Sequence, residues 1–245
     1  MFKKIIGKLY KNKNNNNEHS SKGVLPKNKK RYYLNVPYKE KEAAKNLGAK
    51  WHPGRRRWYI EEIVDNEDFN KWLNYEEEYS LFAMRFYLAA SVRCCWKCKN
   101  NSRILGVLYD SYEHLYPDLY VIGSKEIDVN TWYKEYEPFF SPLSELTDET
   151  LQALESVNHP MAKECVTLAK KKNAQQYCEH CNAKQGNYHL FEEIDSPFSF
   201  MDPNLLSDIR LYKVNFPVKS YSTPSFSSLG NKRAFVRKAT IEVIT

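Results

Sequence analysis

Residues 32–59 read YYLNVPYKEKEAAKNLGAKWHPGRRRWY. Tyr33-Leu34-Asn35-Val36 alternates as a half-buried strand does, and Pro37 ends it because it has no amide to give a ladder. Glu40 to Leu47 supplies helix formers with Ala43, Ala44 and Leu47 on one face. Gly48 stands where a helix end takes a left-handed residue. Lys50 to Ile60 then forms two short arms around Pro53-Gly54. The turn carries Arg55, Arg56 and Arg57, and each arm carries one tryptophan, Trp51 or Trp58. A second helix is expected near Asn66 to Leu73, capped by Asp65 or Asn66 and presenting Phe69, Trp72 and Leu73. Together these predict a small β-α-hairpin-α unit over 31–74.

Beyond it, the apolar run LFAMRFYLAASVRC from Leu81 to Cys94 predicts a buried strand or strand pair. Strand character returns at Arg103–Tyr109, Leu119–Ile122, Tyr188–Phe191, Ile209–Val214 and Phe235–Ile244. Thr147–Val157 and Met161–Lys172 read as helices broken at Pro160, and Ser220–Gly230 as a Ser/Pro loop. The fold class is therefore α+β, a small unit over 31–74 followed by a larger mixed domain over 80–245.

The formal net charge of +7 is uneven. Residues 1–31 hold ten Lys/Arg against Glu18, and the remainder holds 27 basic and 29 acidic residues. The basic character belongs to a tail over 1–30, whose Asn-rich part reads as a disordered linker. Phe2, Ile5, Ile6, Leu9 and Tyr10 fall at helical spacing among lysines. Residues 2–10 could lie on an anionic membrane surface, although so short a helix is marginal in water. No run is long enough to span a membrane, and the opening lacks a signal-peptide core and cleavage site, so a cytoplasmic, reducing setting is expected.

In that setting the six cysteines point to metal binding or burial rather than disulfides. Cys95-Trp96-Lys97-Cys98 and Cys178-Glu179-His180-Cys181 each place two sulfurs on one side of a tight turn. Four thiolates from two such turns complete a tetrahedral shell for one structural zinc per chain, with bonds of about 2.3 Å. Asn100 and Asn182 suit the left-handed backbone that such turns need. The intervening residues 99–177 far exceed the roughly 15–20 of compact sites. The expectation is a zinc ribbon split by an insertion over 99–177 that contains the two helices. The competing readings are buried thiols that never meet and a redox pair. A redox motif should open a helix, whereas strand-like sequence follows Cys98. Cys94 and Cys165 read as core residues, and His180 and His189 as substitute ligands at most.

The segment 31–74 also resembles a known family. The YLNVPYKEKEAAK opening, the LGAKW core and the basic-Trp-Tyr ending are similar to the primase-associated domain of unknown function 5710, found at the ends of plasmid- and phage-type DNA primases. One departure is His52-Pro53, where that family more often has an acidic residue. The resemblance implies the company of nucleic-acid enzymes and no catalysis. The CWKC and CEHCNAKQGNYHLF segments resemble the cysteine region beside this domain in uncharacterised bacterial proteins, which implies a bacterial source and no particular activity.

No phosphate-binding Gly-rich loop, serine elbow or paired His-Glu metalloprotease helix occurs, and four cysteines would leave a metal no open position. The chain is therefore expected not to be an enzyme. Two functions remain. In the first, Lys50, Trp51, Arg55, Arg56, Arg57, Trp58 and Tyr59 bind single-stranded DNA or RNA, with arginines on phosphates and tryptophans stacking on bases. In the second, the chain is a protein–protein interaction module with a structural zinc, and Trp51, Trp58 and Ile60 are core.

Overall fold

The computed structural model describes residues 30–61, 67–73, 79–122, 125–171, 175–199, 205–224 and 232–244. The tail, including residues 2–10, and the loop residues 225–230 lie outside the described residues.

The α+β expectation holds. The chain opens with β1 (Lys30–Leu34), α1 (Lys41–Asn46), β2 (Lys50–His52), β3 (Arg57–Ile60) and α2 (Glu67–Asn70). It continues through β4 (Leu81–Ala83), β5 (Phe86–Cys94), β6 (Asn101–Tyr109), β7 (Tyr112–Ile122), β8 (Lys125–Glu135) and β9 (Phe139–Ser141). Helices α3 (Asp148–Glu155) and α4 (Pro160–Ala169) precede a ribbon of β10 (Gln176–Tyr177) and β11 (Lys184–Gln185). Then come α5 (Asn187–Phe191), β12 (Arg210–Val214), β13 (Val218–Ser220), α6 (Lys232–Lys238) and β14 (Ile241–Val243).

The strands form a seven-stranded sheet in the order β13-β4-β7-β8-β1-β3-β2 and a five-stranded sheet in the order β14-β12-β5-β6-β9, besides the ribbon. The first six residues of β5, Phe86 to Ser91, are buried on both faces, which is why this part of the strand is apolar up to Ala90 rather than alternating. Leu88 and Ala90 face the core shared with Leu154, Met161, Ala162 and Cys165. Tyr87 and Ala89 face the opposite core of Leu190, Phe191 and Phe198. Helices α3 and α4 thus cover one face of the five-stranded sheet, and the segment around α5 covers the other.

The seven-stranded sheet does not stop at residue 74. Strand β1 sits between β3 and β8, pairing Tyr33 with Tyr59 on one side and Arg31 with Trp132 on the other. One face of β1 and β3 carries Tyr32, Leu34 and Ile60, packed with Ala44, Phe69, Trp72 and Leu73. The other face carries Tyr33 and Tyr59, packed with Phe82 and Trp132 of the larger part. The sheet curls until His52 of edge strand β2 reaches Phe82 of β4, ring centroids 5.8 Å apart.

A buried carboxylate lies inside that curl. Glu113 of β7 is 4 % exposed and pairs with Arg31, while Tyr33 donates its hydroxyl to it at 2.6 Å. Arg55 reaches it at 3.4 Å with its guanidinium 3.8 Å from the Trp132 ring centroid and 3.9 Å from that of Tyr33. Its other guanidinium nitrogen donates to the Tyr79 hydroxyl at 2.7 Å. Burial works most strongly against the Arg31 charge, but Glu113 together with Tyr33 and Tyr59 outweighs it and holds the pKa above the ordinary value. Burial, followed by Glu113, pushes the Tyr33 phenol up, and burial pushes the His52 imidazole down.

Several local expectations shift. Gly48 has φ +96, and its amide donates to Lys45 while that of Ala49 donates to Ala44, the Schellman pattern expected of it. Residues 187–191 are helical, not a strand, and much of the strand expected over Phe235–Ile244 is α6, with β14 only at its end. Pro160 does not merely separate two helices. It occupies the first turn of α4, where a missing amide costs nothing, with His159 as the cap. Strands β7 and β8 pair from Tyr112 with Glu135 to Ile122 with Lys125, far beyond the strand that the sequence predicts at Leu119–Ile122.

Glu113→Gln removes the carboxylate shared by Arg31 and Arg55. Urea unfolding is expected to show a loss of about 3–5 kcal/mol, the cost of uncompensated buried charge. Arg55→Met, which keeps the Arg31 pair and most of the packing, is expected to lose less. The reverse order would contradict this account.

Candidate metal centre and hairpin surface

The first cysteine pair lies in the loop joining β5 to β6, and the second in the loop joining β10 to β11. The two knuckles have the same backbone. The Lys99 amide donates to the Cys95 carbonyl at 3.0 Å, and the Asn182 amide donates to that of Cys178 at 2.9 Å. The Cys95 amide returns to the Asn100 carbonyl and the Cys178 amide to that of Ala183, both at 2.9 Å. Lys99 (φ +62) and Asn182 (φ +55) are left-handed. Asn182 is as expected. In the first knuckle the position belongs to Lys99, not Asn100, because each turn reverses at the residue directly after its second cysteine.

Strand β9 pairs with Val107, Leu108 and Tyr109, so among the described residues the first half of β6 has an open edge. The second hairpin docks there through side chains. Gln176 accepts from the Leu105 amide at 2.8 Å and donates to the Leu105 carbonyl at 2.7 Å, taking the place of a strand partner. The Glu179 amide donates to Ser102 Oγ at 3.1 Å, and His180 Nε2 lies 2.9 Å from the Asn101 carbonyl. Sequence reading missed Gln176 and Ser102, since nothing in a Gln or Ser announces an unpaired edge 70 residues away.

This docking brings the four sulfurs of Cys95, Cys98, Cys178 and Cys181 within 4.8 Å of one another. Cys95 Sγ is 3.7 Å from Cys181 Sγ, and Cys98 Sγ is 3.6 Å from Cys178 Sγ. Such spacing suits four ligands around one ion, and is too long for a disulfide. The cluster could hold a metal ion such as zinc. The Cys98 amide, against burial and with help from the Lys97 amide, pushes the Cys95 thiol down to about 6. The Asn100 amide pulls on Cys98 in the same direction, but burial and the neighbouring thiols push it up to about 12. Burial opposes ionisation of Cys178, yet the His180 and Cys181 amides lower it. One thiolate is thus readily formed and a crowded neighbour resists, a conflict that a dication removes. His180 and His189 are not among these ligands. Cys165 is buried in the helix core as expected, whereas Cys94 is exposed, its thiol 3.3 Å from the Lys99 carbonyl.

The hairpin residues do not share one surface. Trp51 pairs with Trp58 across β2 and β3, ring centroids 5.5 Å apart, on the face opposite Lys50 and Tyr59. Trp51 is 48 % exposed, Trp58 half-buried and Tyr59 buried beneath Arg31. Arg55 is buried on Glu113, so the structure does not bring it to the surface with its neighbours. Arg56 is left-handed and exposed, Arg57 is half-buried, and Lys50 is ion-paired with Glu61 at 2.7 Å.

Among known families, a domain of unknown function (DUF5710) matches residues 31–74. The match ends before the first cysteine. One DNA primase TraC of Escherichia coli is 44% identical over 55 residues, covering 22% of this chain and 5% of that protein. Another is 50% identical over 42 residues, covering 17% and 3% respectively. The chain therefore spans only a few percent of the length of these relatives. No solved structure matches. Among the described residues no helix is long and apolar enough to cross a membrane.

Cys181→Ser is expected to lose the metal, read as zinc per chain by elemental analysis of protein purified from zinc-supplemented cells. Cys94→Ala and Cys165→Ala should keep one ion. Loading should weaken as pH falls, because thiols must lose protons to ligate. Full metal content in Cys181→Ser would refute the four-cysteine assignment.

Proposed function

We propose that this protein is a non-catalytic, zinc-binding accessory protein that binds single-stranded DNA through the β2–β3 hairpin. The observation that carries this reading is the exposed half of Trp51, an aromatic left in solvent on the same hairpin as the exposed Arg56. Unpaired bases stack on such rings while arginines meet the phosphates. Arg57, which pairs with His52 next to the turn, and Lys50 both lie on the face opposite Trp51. Arg55 serves the fold, and the hairpin keeps its shape because Arg55 anchors the turn to Glu113. The similarity of 55 and of 42 residues of this chain to parts of two DNA primases supports DNA as the partner. One zinc held by Cys95, Cys98, Cys178 and Cys181 is structural, because four thiolates leave no position for a substrate.

Binding of a labelled oligothymidine at two salt concentrations tests the reading. Arg56→Gln with Arg57→Gln should flatten the slope of log affinity against log salt by about 1.4, two contacts at roughly 0.7 each. Trp51→Ala should cost about 1–3 kcal/mol of binding, with thermal stability measured alongside because the Trp58 pair is lost too. Absence of binding by the unsubstituted protein would instead favour the protein–protein module.

A further inference from the structure

The metal end carries a feature that holding a metal does not require. Trp96, between the first two cysteines, is 59 % exposed. Its indole N–H donates to the Lys184 carbonyl of the second hairpin at 3.0 Å, which fixes one edge of the ring and leaves more than half the residue in solvent. Tyr177 is 48 % exposed and pairs with Lys184 across the ribbon. Gln176 and Gln185 are buried, so the ribbon has an inner face docked on β6 and an outer face with Tyr177 and Lys184. Lys97, Lys99 and Lys184 are all exposed. Lys50, Lys71, Lys170 and Lys219 each hold a carboxylate, but among the described residues none of these three does. The one acidic residue of the second knuckle, Glu179, turns its carboxylate toward the Arg103 amide at 3.4 Å.

We infer that this tip is a second contact for single-stranded DNA, with Trp96 and Tyr177 as stacking platforms and Lys97, Lys99 and Lys184 on the phosphates. The inference rests on the nucleic-acid reading above but uses different residues. Four thiolates around one dication carry net negative charge, which three lysines would also offset. Charge compensation gives no reason to hold a tryptophan ring by its edge in open solvent. Base stacking does, because a fixed ring loses little freedom when a base lands on it.

The test uses the full zinc-loaded chain, anisotropy of a labelled oligothymidine at about 50 and 200 mM salt, and zinc content for every variant. Lys97→Gln, Lys99→Gln and Lys184→Gln together should flatten the salt slope by about 2. Trp96→Leu should weaken binding about fivefold or more, while Trp96→Phe retains most of it. Tyr177→Ser, which lies outside the metal loop, should weaken binding similarly and keeps the test open if Trp96→Leu fails to load zinc. Zinc-replete tip variants with unchanged affinity and slope, beside a weakened Arg56/Arg57 variant, would overturn the tip and leave the hairpin reading intact. No binding by the unsubstituted chain would overturn both. Tighter binding of an RNA strand of equal length would overturn the choice of DNA.

Discussion

A carboxylate taken out of water costs several kcal/mol unless cations and donors surround it, and Glu113 is surrounded from four directions. Arg31 comes from β1, Tyr33 from the same strand two residues on, Arg55 from the β2–β3 turn and His52, 3.7 Å away, from the edge strand. All belong to the small unit, and Glu113 belongs to the larger part. The clamp therefore works only when β1 is paired with β8 and the sheet is curled enough for β2 to approach β4. Ring faces complete it, because the Arg55 guanidinium lies over Trp132 and Tyr33 in a site where a cation–π contact is little weakened by water. Packing, charge and sheet topology are here one constraint.

The metal end obeys a different one. A ribbon of two residues paired with two is far below what stands alone in water. Its position comes from outside, through the Gln176 amide on Leu105 and the knuckle contacts to Asn101 and Ser102. These bonds preform the sulfur cluster, and a metal would close it by satisfying thiols that cannot all ionise together without a cation. The long separation between the cysteine pairs is no obstacle, since the body of the protein fills it. Strands β6 to β9 and helices α3 and α4 lie between the knuckles, and the first knuckle caps the β5–β6 hairpin of the five-stranded sheet.

Local signals were legible and long-range ones were not. The glycine end of α1, the hairpin arms and the second cysteine turn depend on neighbours within a few residues, and stand in the structure as the sequence implies. Arg55, Arg56 and Arg57 look alike in sequence. What separates them is a carboxylate 58 residues away from Arg55 that claims the first of the three. Residues 187–191 carry the apolar, aromatic composition of a strand, yet form a helix because Leu190 and Phe191 must reach the core against β5 and β6. Lys99 rather than Asn100 is left-handed for a reason of the turn's geometry, which overrides the preference of asparagine.

The placement of Arg55 also explains what remains exposed. With that side chain drawn inward, the chain must reverse at once to enter β3, and it does so through left-handed Arg56, which sends the second arginine outward. The register that buries Tyr59 then places Trp51 and Trp58 on the other face. An overall charge of +7 predicts none of this, because screening limits exposed charges to about 8 Å at physiological salt. On the proposed reading a partner meets local groups: Trp51 and Arg56 of the β2–β3 hairpin, and Trp96 and Tyr177 with three lysines at the metal end. Each patch is small, and on the proposed reading each binds weakly alone. A strand long enough to reach both gains from the second contact as an intramolecular event, so affinity should rise steeply with oligonucleotide length once both are spanned.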